Sequence, residues 1–397
     1  MKSSWVKKSL GEVCEMIADG DWIESKDQSL SGIRLVQTGN VGVGVFRNKD
    51  GCEHFISPET FKRLKCTEIF GGDILISRLP DPVGRACVVP DLGQRLITAV
   101  DCSIVRLKRV DCLPDFFVYY ASSNEWFNAV EAKCTGSTRK RISRKNLTRV
   151  LVPCPPLPEQ KRIVARIEAA FEKIGKLKAS AERNLNSAKE LFQSALDGAL
   201  HPKKGWVKKR LGEVCKITSV LVDPTEKKYC NLLHVGGANI VSEIGSLVDL
   251  KTAAEEKLKS GKFTFDESMV LYNKIRPYLK KVARPDFKGL CSADMYPLSP
   301  VGGVERGFLY YLLLSSRFTA YAIGESERAG MPKVNRESLF GYELKMPPSQ
   351  DEQREIARTL DLLREKLSLL QQHYERQIAD CAELRQSVLH EAFEGRL

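Results

Sequence analysis

The stretch WVKKSLGEVC at residues 5–14 returns as WVKKRLGEVC at residues 206–215, identical at nine of ten positions and 201 residues later. A chain that repeats its borders in order must build the same unit twice, and no other feature constrains the fold as strongly. Further pairs follow in step. Ile142-Ser-Arg-Lys-Asn-Leu147 is echoed by Val334-Asn-Arg-Glu-Ser-Leu339, and Pro155-Pro156 by Pro347-Pro348. Glu159-Gln160-Lys-Arg-Ile163 is echoed by Glu352-Gln353-Arg-Glu-Ile356, and Glu190-Leu-Phe-Gln-Ser-Ala-Leu196 by Glu383-Leu-Arg-Gln-Ser-Val-Leu389. The offset drifts from 201 to 192 and settles at 193, so the segments between the borders differ modestly in length. The 397 residues are two diverged copies of one unit of about 200.

Each copy closes on a long helix. In 159–200 the apolar residues Ile163, Ile167, Ile174, Leu177, Leu185 and Phe192 recur at helical steps. Ile356, Leu360, Leu363, Leu367, Leu370, Ile378 and Val388 do the same in 351–397. One apolar stripe over some forty residues is a coiled-coil signal, and these residues are the expected seam. At about 1.5 Å per residue each helix spans roughly 60–65 Å. The second stripe keeps register with the first, and chain connectivity favours an antiparallel pair. Upstream, short apolar runs broken by Gly, Pro and Asp predict strands and turns. The expected fold is α+β: two mixed α/β globules in tandem, joined by two long helices forming an intramolecular antiparallel coiled coil with a pseudo-two-fold. The expected boundaries are 1–154 and 206–347 for the globules, and 155–205 and 348–397 for the helices.

Charge is unevenly spread. The net charge is +12, yet the two helical stretches together are close to neutral, so the globular parts carry the basicity. Such a surface suits a polyanion. No run of eighteen apolar residues and no secretory-type start occurs, so the expected location is the cytoplasm, and the resemblance given below implies that of a bacterium or archaeon. The twelve cysteines are scattered without a C-x-x-C pair, which predicts reduced thiols rather than a metal site.

Catalytic patterns are missing from the sequence. There is no phosphate-binding G-x-x-x-x-G-K-[ST], and Gly39-Asn-Val-Gly42-Val-Gly44 does not fit a dinucleotide fingerprint. Cys154-Pro-Pro-Leu imitates an amino-methyltransferase tetrad but aligns with Met346-Pro-Pro-Ser of the other copy. Glu343-Leu-Lys345 imitates a nuclease E-x-K, but Leu151 and Pro153 stand in its place in the first copy.

Nucleic-acid signals are stronger. Residues 135–149 hold six basic residues and no acid. The expected DNA contacts there are Arg139, Lys140, Arg141 and Arg144, with Lys333, Asn335 and Arg336 in the equivalent stretch. Arg78 and Arg85 bracket a proline-rich loop, and Lys274, Arg276, Lys280 and Lys281 form a basic and aromatic run. Gln37, Asn40 and Asn239 complete the set, from two Gly/Asn turns. Arginine and lysine anchor phosphates, and arginine pairs with guanine through two hydrogen bonds.

Two diverged globules alternating with two matched helices, bordered by L-G-E-V, P-P-x(2–3)-E-Q-x-x-I and E-L-x-Q-S-x-L, resemble the specificity subunits of type I restriction-modification systems. The resemblance runs from residue 5 to 397, and Pro155-Pro-Leu-Pro-Glu-Gln-Lys-Arg-Ile163 is its most specific line. It implies that each globule is a target recognition domain reading one half of an asymmetric, bipartite site in double-stranded DNA. It implies that the coiled coil sets the gap and docks two methylation subunits, with restriction subunits joining for cleavage. It implies no catalysis and no cofactor on this chain: S-adenosylmethionine belongs to the methylation subunits, and ATP with Mg²⁺ to the restriction subunits. The residues alone leave open a coiled-coil DNA-binding regulator and a protein-binding scaffold.

Overall fold

The computed structural model describes residues 5–136, 140–326 and 331–397. The chain forms two compact units, one of Met1–Ala181 with Arg376–Leu397, the other of Glu182–Glu375. The first long helix runs Leu157–Ala199 and the second Gln350–Phe393. None of the described helices is long and apolar enough to cross a membrane.

The repeated opening line has the same job in each unit. Its first half is a strand, Val6–Ser9 paired antiparallel with Leu151–Cys154, and Val207–Arg210 paired with Glu343–Met346. Glu343 therefore lies in a two-stranded ribbon, where it forms an ion pair with Lys208. The second half is one helical turn, Leu10–Val13 or Leu211–Val214, whose Leu and Val are buried. Glu12 accepts a hydrogen bond from the Ser9 N–H at 2.7 Å, and Glu213 from the Arg210 N–H at 2.6 Å. These carboxylates satisfy amide groups that the turn leaves without a partner.

In the first unit a four-stranded sheet runs in the order Cys14–Asp19, Cys102–Leu107, Ile74–Ser77, Ala86–Val88. Its equivalent in the second unit is Cys215–Lys216, Met295–Pro300, Val270–Asn273, Val282–Ala283. Each unit also has a five-stranded sheet built around one parallel pair, Ile33–Val36 with Leu96–Thr98 and Leu233–Val235 with Gly289–Cys291. Four strands of these sheets correspond, but the fifth does not. Gln28–Ser29 adds beside His54–Ile56, whereas Leu221–Val222 adds beside Lys262–Phe265, at the opposite edge.

Both cores take in both long helices. In the first unit Ile163 and Ile167 join Leu389, Ala392 and Phe393 in one cluster. Phe393 packs edge-on against Phe116 and Tyr120, with centroids at 5.4 and 5.2 Å. Arg162 donates to the Leu397 carbonyl, and the Arg385 guanidinium covers the Phe171 ring at 3.8 Å. As one residue number rises the other falls, so the helices are antiparallel here. The second unit repeats the arrangement with Leu196, Ile356 and Leu360 in its core.

The seam is narrower than the sequence stripe. Ile163, Ile167, Ile174, Ile356, Leu360 and Leu367 are buried, while Leu185, Phe192, Ile378 and Val388 are half-buried. Leu177, Leu363 and Leu370 are not core residues: they are 60%, 36% and 42% exposed. The second helix carries more leucine than one packing face can cover, so some faces outward. Burial pushes the thiols of Cys14, Cys87, Cys215 and Cys291 up to about 12, which keeps them protonated and inert at neutral pH.

Candidate nucleic-acid interface

A loop of eight residues, 78–85, joins Ile74–Ser77 to Ala86–Val88 in the first unit. Loop 274–281 joins the equivalent strands of the second. Both loops begin and end on a cation, and both pairs of cations turn inward. Arg78 donates to the Val100 carbonyl, and Lys274 donates to the equivalent carbonyl of Ala293. Arg85 donates to the Thr38 carbonyl at 3.0 Å, and Lys281 donates to the equivalent carbonyl of Gly237. Backbone bonds match as well: Arg78 N–H to Asp101 O at 2.9 Å, Lys274 N–H to Asp294 O at 3.1 Å.

Burial draws the charged forms of Arg78, Arg85 and Lys274 below their usual pKa, with neighbouring cations adding to the effect and acids opposing it. A buried cation persists only where its N–H groups find acceptors. Arg85, 8% exposed, has four such bonds, adding Val41 O at 2.7 Å, Leu79 O at 3.0 Å and Pro82 O at 3.1 Å. Arg78 also pairs with Asp19 at 3.1 Å.

These partners give the expected contact residues a second duty inside the fold. Arg78, Arg85, Lys274 and Lys281 each donate to backbone carbonyls and so hold the loops together. Lys280 is similarly engaged, donating to Gln193 Oε1 at 2.7 Å. Asn40 and Asn239 shape equivalent turns, their Oδ1 atoms accepting from Gln37 N–H at 2.9 Å and Gly236 N–H at 2.8 Å. Gln37 is half-buried beside that turn. Asn335 caps the helix Arg336–Gly341, accepting from Ser338 N–H at 2.8 Å. Arg139 lies outside the described residues.

The other expected cations remain on the surface, and the backbone gathers them. Ile142 N–H donates to Arg78 O at 3.3 Å, and the equivalent Val334 N–H to Lys274 O at 3.0 Å. These bonds lay 140–144 and 332–336 along the two loops. Arg141 and Lys333 are therefore equivalent exposed cations, and so are Arg144 and Arg336. Arg141 pairs with Asp101 at 2.9 Å, Arg144 with Asp19 at 3.8 Å, and Lys140 with Glu131. Arg336 lies over the rings of Phe263 and Tyr296, at 6.0 and 5.9 Å.

In the second unit a cleft of about 350 Å³ opens here, lined by Gly237, Asn273, Ile275, Arg276, Leu279, Lys281, Ser292, Asp294 and Met331. Sequence reasoning passes over exposed Met331 and Asp81 at the tip of the first loop, and takes exposed Tyr278 only as the aromatic of the 274–281 run. The signal for Asp81 and Tyr278 is position, between two strand-end cations, and for Met331 it is adjacency to the segment 332–336 laid along the loop; composition registers neither. Among the described residues no cluster of His, Cys, Asp and Glu is arranged to hold a metal ion.

A family model, the type I restriction modification DNA specificity domain, matches residues 2–183 and again 203–378. Among similar proteins, the type I restriction enzyme EcoDI specificity subunit of Escherichia coli is 27% identical over 296 residues, covering 66% of this chain and 66% of that protein. The StySPI specificity subunit of Salmonella potsdam is 22% identical over 317 residues, covering 72% of this chain and 65% of that protein. Each match thus spans about two thirds of the relative's own length. Two solved structures share the fold. One, reported for complex assembly and conformational transition of the type I R-M system, has a TM-score of 0.76 at 19% identity, covering 100% of this chain and 99% of that one. The other, the HsdS subunit of Thermoanaerobacter tengcongensis, scores 0.54 at 20% identity, covering 100% and 98%.

Proposed function

The chain belongs to the type I restriction modification DNA specificity family, and from that premise we propose that it is the non-catalytic, sequence-reading subunit of a type I restriction-modification complex. Each unit reads one half of an asymmetric, bipartite site in double-stranded DNA. The observation that carries this reading is the duplicated interface: equivalent exposed cations, Arg141 with Arg144 and Lys333 with Arg336, flank loops whose own strand-end cations turn to backbone carbonyls, Arg78, Arg85 and Lys274 buried and Lys281 half-buried. Phosphate contacts fix register without reading sequence, so they can be alike in both units while the loop tips differ.

Two methylation subunits dock on the long helices and bring S-adenosylmethionine, and restriction subunits bring ATP and Mg²⁺. An apolar face left over on the helices supports docking. Leu362, Leu363, Leu369 and Leu370 are exposed at seven-residue spacing in the second unit. In the first unit Leu177 and Leu384 line a cleft of about 480 Å³. Such heptad leucines suit further helices.

The test is to co-express the chain with its methylation subunits and map methylated adenines. A split, asymmetric site is expected; no methylated site at all would return the chain to a scaffold or a freestanding regulator. In the same complex, R141A/R144A and K333A/R336A should each flatten the salt dependence of DNA binding, by about 0.9 in logarithmic slope for each phosphate no longer neutralised. An unchanged slope would remove these cations from the interface. Deletions or insertions within 176–189 should change the gap in the mapped site and leave both half-sites intact. Altered half-sites with a constant gap would refute a ruler role for the helix.

A further inference from the structure

The loops 78–85 and 274–281 have the same length, equivalent flanking strands and inward-turned cations at both ends, Arg78 and Arg85 in one and Lys274 and half-buried Lys281 in the other, but their tips carry different polar side chains. In the first unit the tip is Pro80-Asp81-Pro82, and in the second Arg276-Pro277-Tyr278 occupies the same positions. Asp81 and Arg276 are both exposed. Neither side chain forms a hydrogen bond or ion pair with the described residues.

Both tips are also held firmly. Arg85 grips the carbonyls of Leu79 and Pro82, on either side of Pro80-Asp81. Arg276 adopts a left-handed backbone, φ 51°, which a residue with a side chain rarely enters. Its N–H donates to Pro332 O at 2.9 Å, and its carbonyl accepts from Leu279 N–H at 2.9 Å. A backbone held by such bonds that presents one exposed polar side chain, beside a pair of exposed cations, is what base reading requires. Phosphate contacts hold the register, and the tip then meets a groove edge at a fixed depth.

We propose that these two loops are the base-reading elements of their units and that they select opposite hydrogen-bonding partners. The Asp81 carboxylate accepts from the exocyclic amine of a cytosine or adenine, and the Arg276 guanidinium donates to O6 and N7 of a guanine. The acceptor and donor assignments follow from what each group can offer a major-groove edge. The inference rests on the specificity-subunit reading above and deepens it. It explains why the copies keep the loop's frame while changing its tip: the frame places the side chain, and the side chain chooses the base.

The experiment uses the complex of the chain with its own methylation subunits, and maps methylated sites for the unaltered protein, D81A, R276A and R276K. Each alanine variant should relax one base pair in one half-site by roughly 5- to 150-fold, the range of one good hydrogen-bonded base pairing, and leave the other half-site untouched. The pair relaxed by R276A should be a G·C pair. R276K keeps the charge but not the planar fork, so it should weaken the guanine preference less than R276A does while holding the salt slope. Melting curves matching the unaltered protein confirm that the exposed tips do not carry the fold. If the unaltered complex marks a split site and the variants keep every base preference, the inference falls and the family reading stands. An R276A complex that loses salt slope but not specificity also overturns it, because Arg276 would then be a phosphate anchor. If the unaltered complex marks no split site, the family reading fails and takes this inference with it.

Discussion

Replacing Gln160 by leucine is expected to destabilise the first unit by about 3–5 kcal/mol, and replacing Gln353 by leucine to destabilise the second by about 2–4 kcal/mol. Gln160 is 0% exposed and ties three backbone groups together. Its Oε1 accepts from Leu113 N–H at 2.9 Å, and its Nε2 donates to Asp111 O and Pro155 O, both at 2.8 Å. Gln353, also buried, accepts from Glu305 N–H at 2.8 Å and donates to Pro347 O at 3.0 Å. Each side chain joins the start of a long helix to the Pro-Pro turn and to the loop that opens a core helix, Pro114–Tyr120 or Arg306–Leu314. Leucine fills the space but leaves those buried groups without partners, at roughly 1–3 kcal/mol each. Thermal melting gives the loss, and amide exchange should place it in Pro114–Tyr120 for Q160L. Variants that melt like the unaltered protein would show that water replaces the amide.

The isosteric Q160E sharpens this result, because a carboxylate would face two carbonyls with no proton to offer. Its folded pKa must rise above the unfolded value of about 4.3. The variant should then be closest to the unaltered protein below about pH 4, where the carboxyl is protonated in both states. Its deficit should grow as pH rises through 4.3 and level off above the raised folded pKa.

The Glu-Gln border shows which features a sequence displays and which it hides. Its repetition is legible, because a buried amide that satisfies three backbone groups tolerates no substitute. Its reason is not, because the partners lie 47 and 49 residues away in the chain. The long helices are legible from period alone. A period does not say how wide a packing face is, so Leu177, Leu363 and Leu370 join the stripe although they face outward. The fifth strands, two residues each, are too short to show alternation, and their opposite placement leaves no trace in the pattern.

Charge is the least transparent signal. Arg78, Arg85 and Lys274 look like Arg141 and Arg276 in a composition, yet three are buried donors and two are exposed. Position against the strands separates them. A cation directly at the end of a fully buried strand such as Ile74–Ser77 or Val270–Asn273 cannot reach solvent easily and turns to local carbonyls. Asp81 escapes notice for the converse reason: a basic domain directs attention to cations, although base edges also present amines that need an acceptor.

Arg85 supplies the second large effect. Arg85→Ala should lower the stability of the first unit by roughly 3–5 kcal/mol, since it removes a buried cation's bonds to four carbonyls at once. The loss is not the sum of four bonds, because the loop lies near the surface and water can reach some of the freed oxygens. Arg85→Lys is the informative control. Lys281 occupies the equivalent position in the second unit and, among the described residues, holds only the Gly237 carbonyl. A lysine at 85 should keep the matching bond to Thr38, release Val41, Leu79 and Pro82, and recover about half of the stability that the alanine variant gives up. The two substitutions should differ in function as well. Both free the tip around Asp81, so both should blur the first half-site in the mapped methylation pattern, and neither should alter the second. An R85K protein that regains stability but not half-site selectivity would separate the two duties of this side chain: the bond to Thr38 serves the fold, and the bonds to Leu79 and Pro82 hold the reader in place. Melting of R85A at the temperature of the unaltered protein would mean that hydration satisfies these carbonyls and that the loop takes its shape from the strands alone.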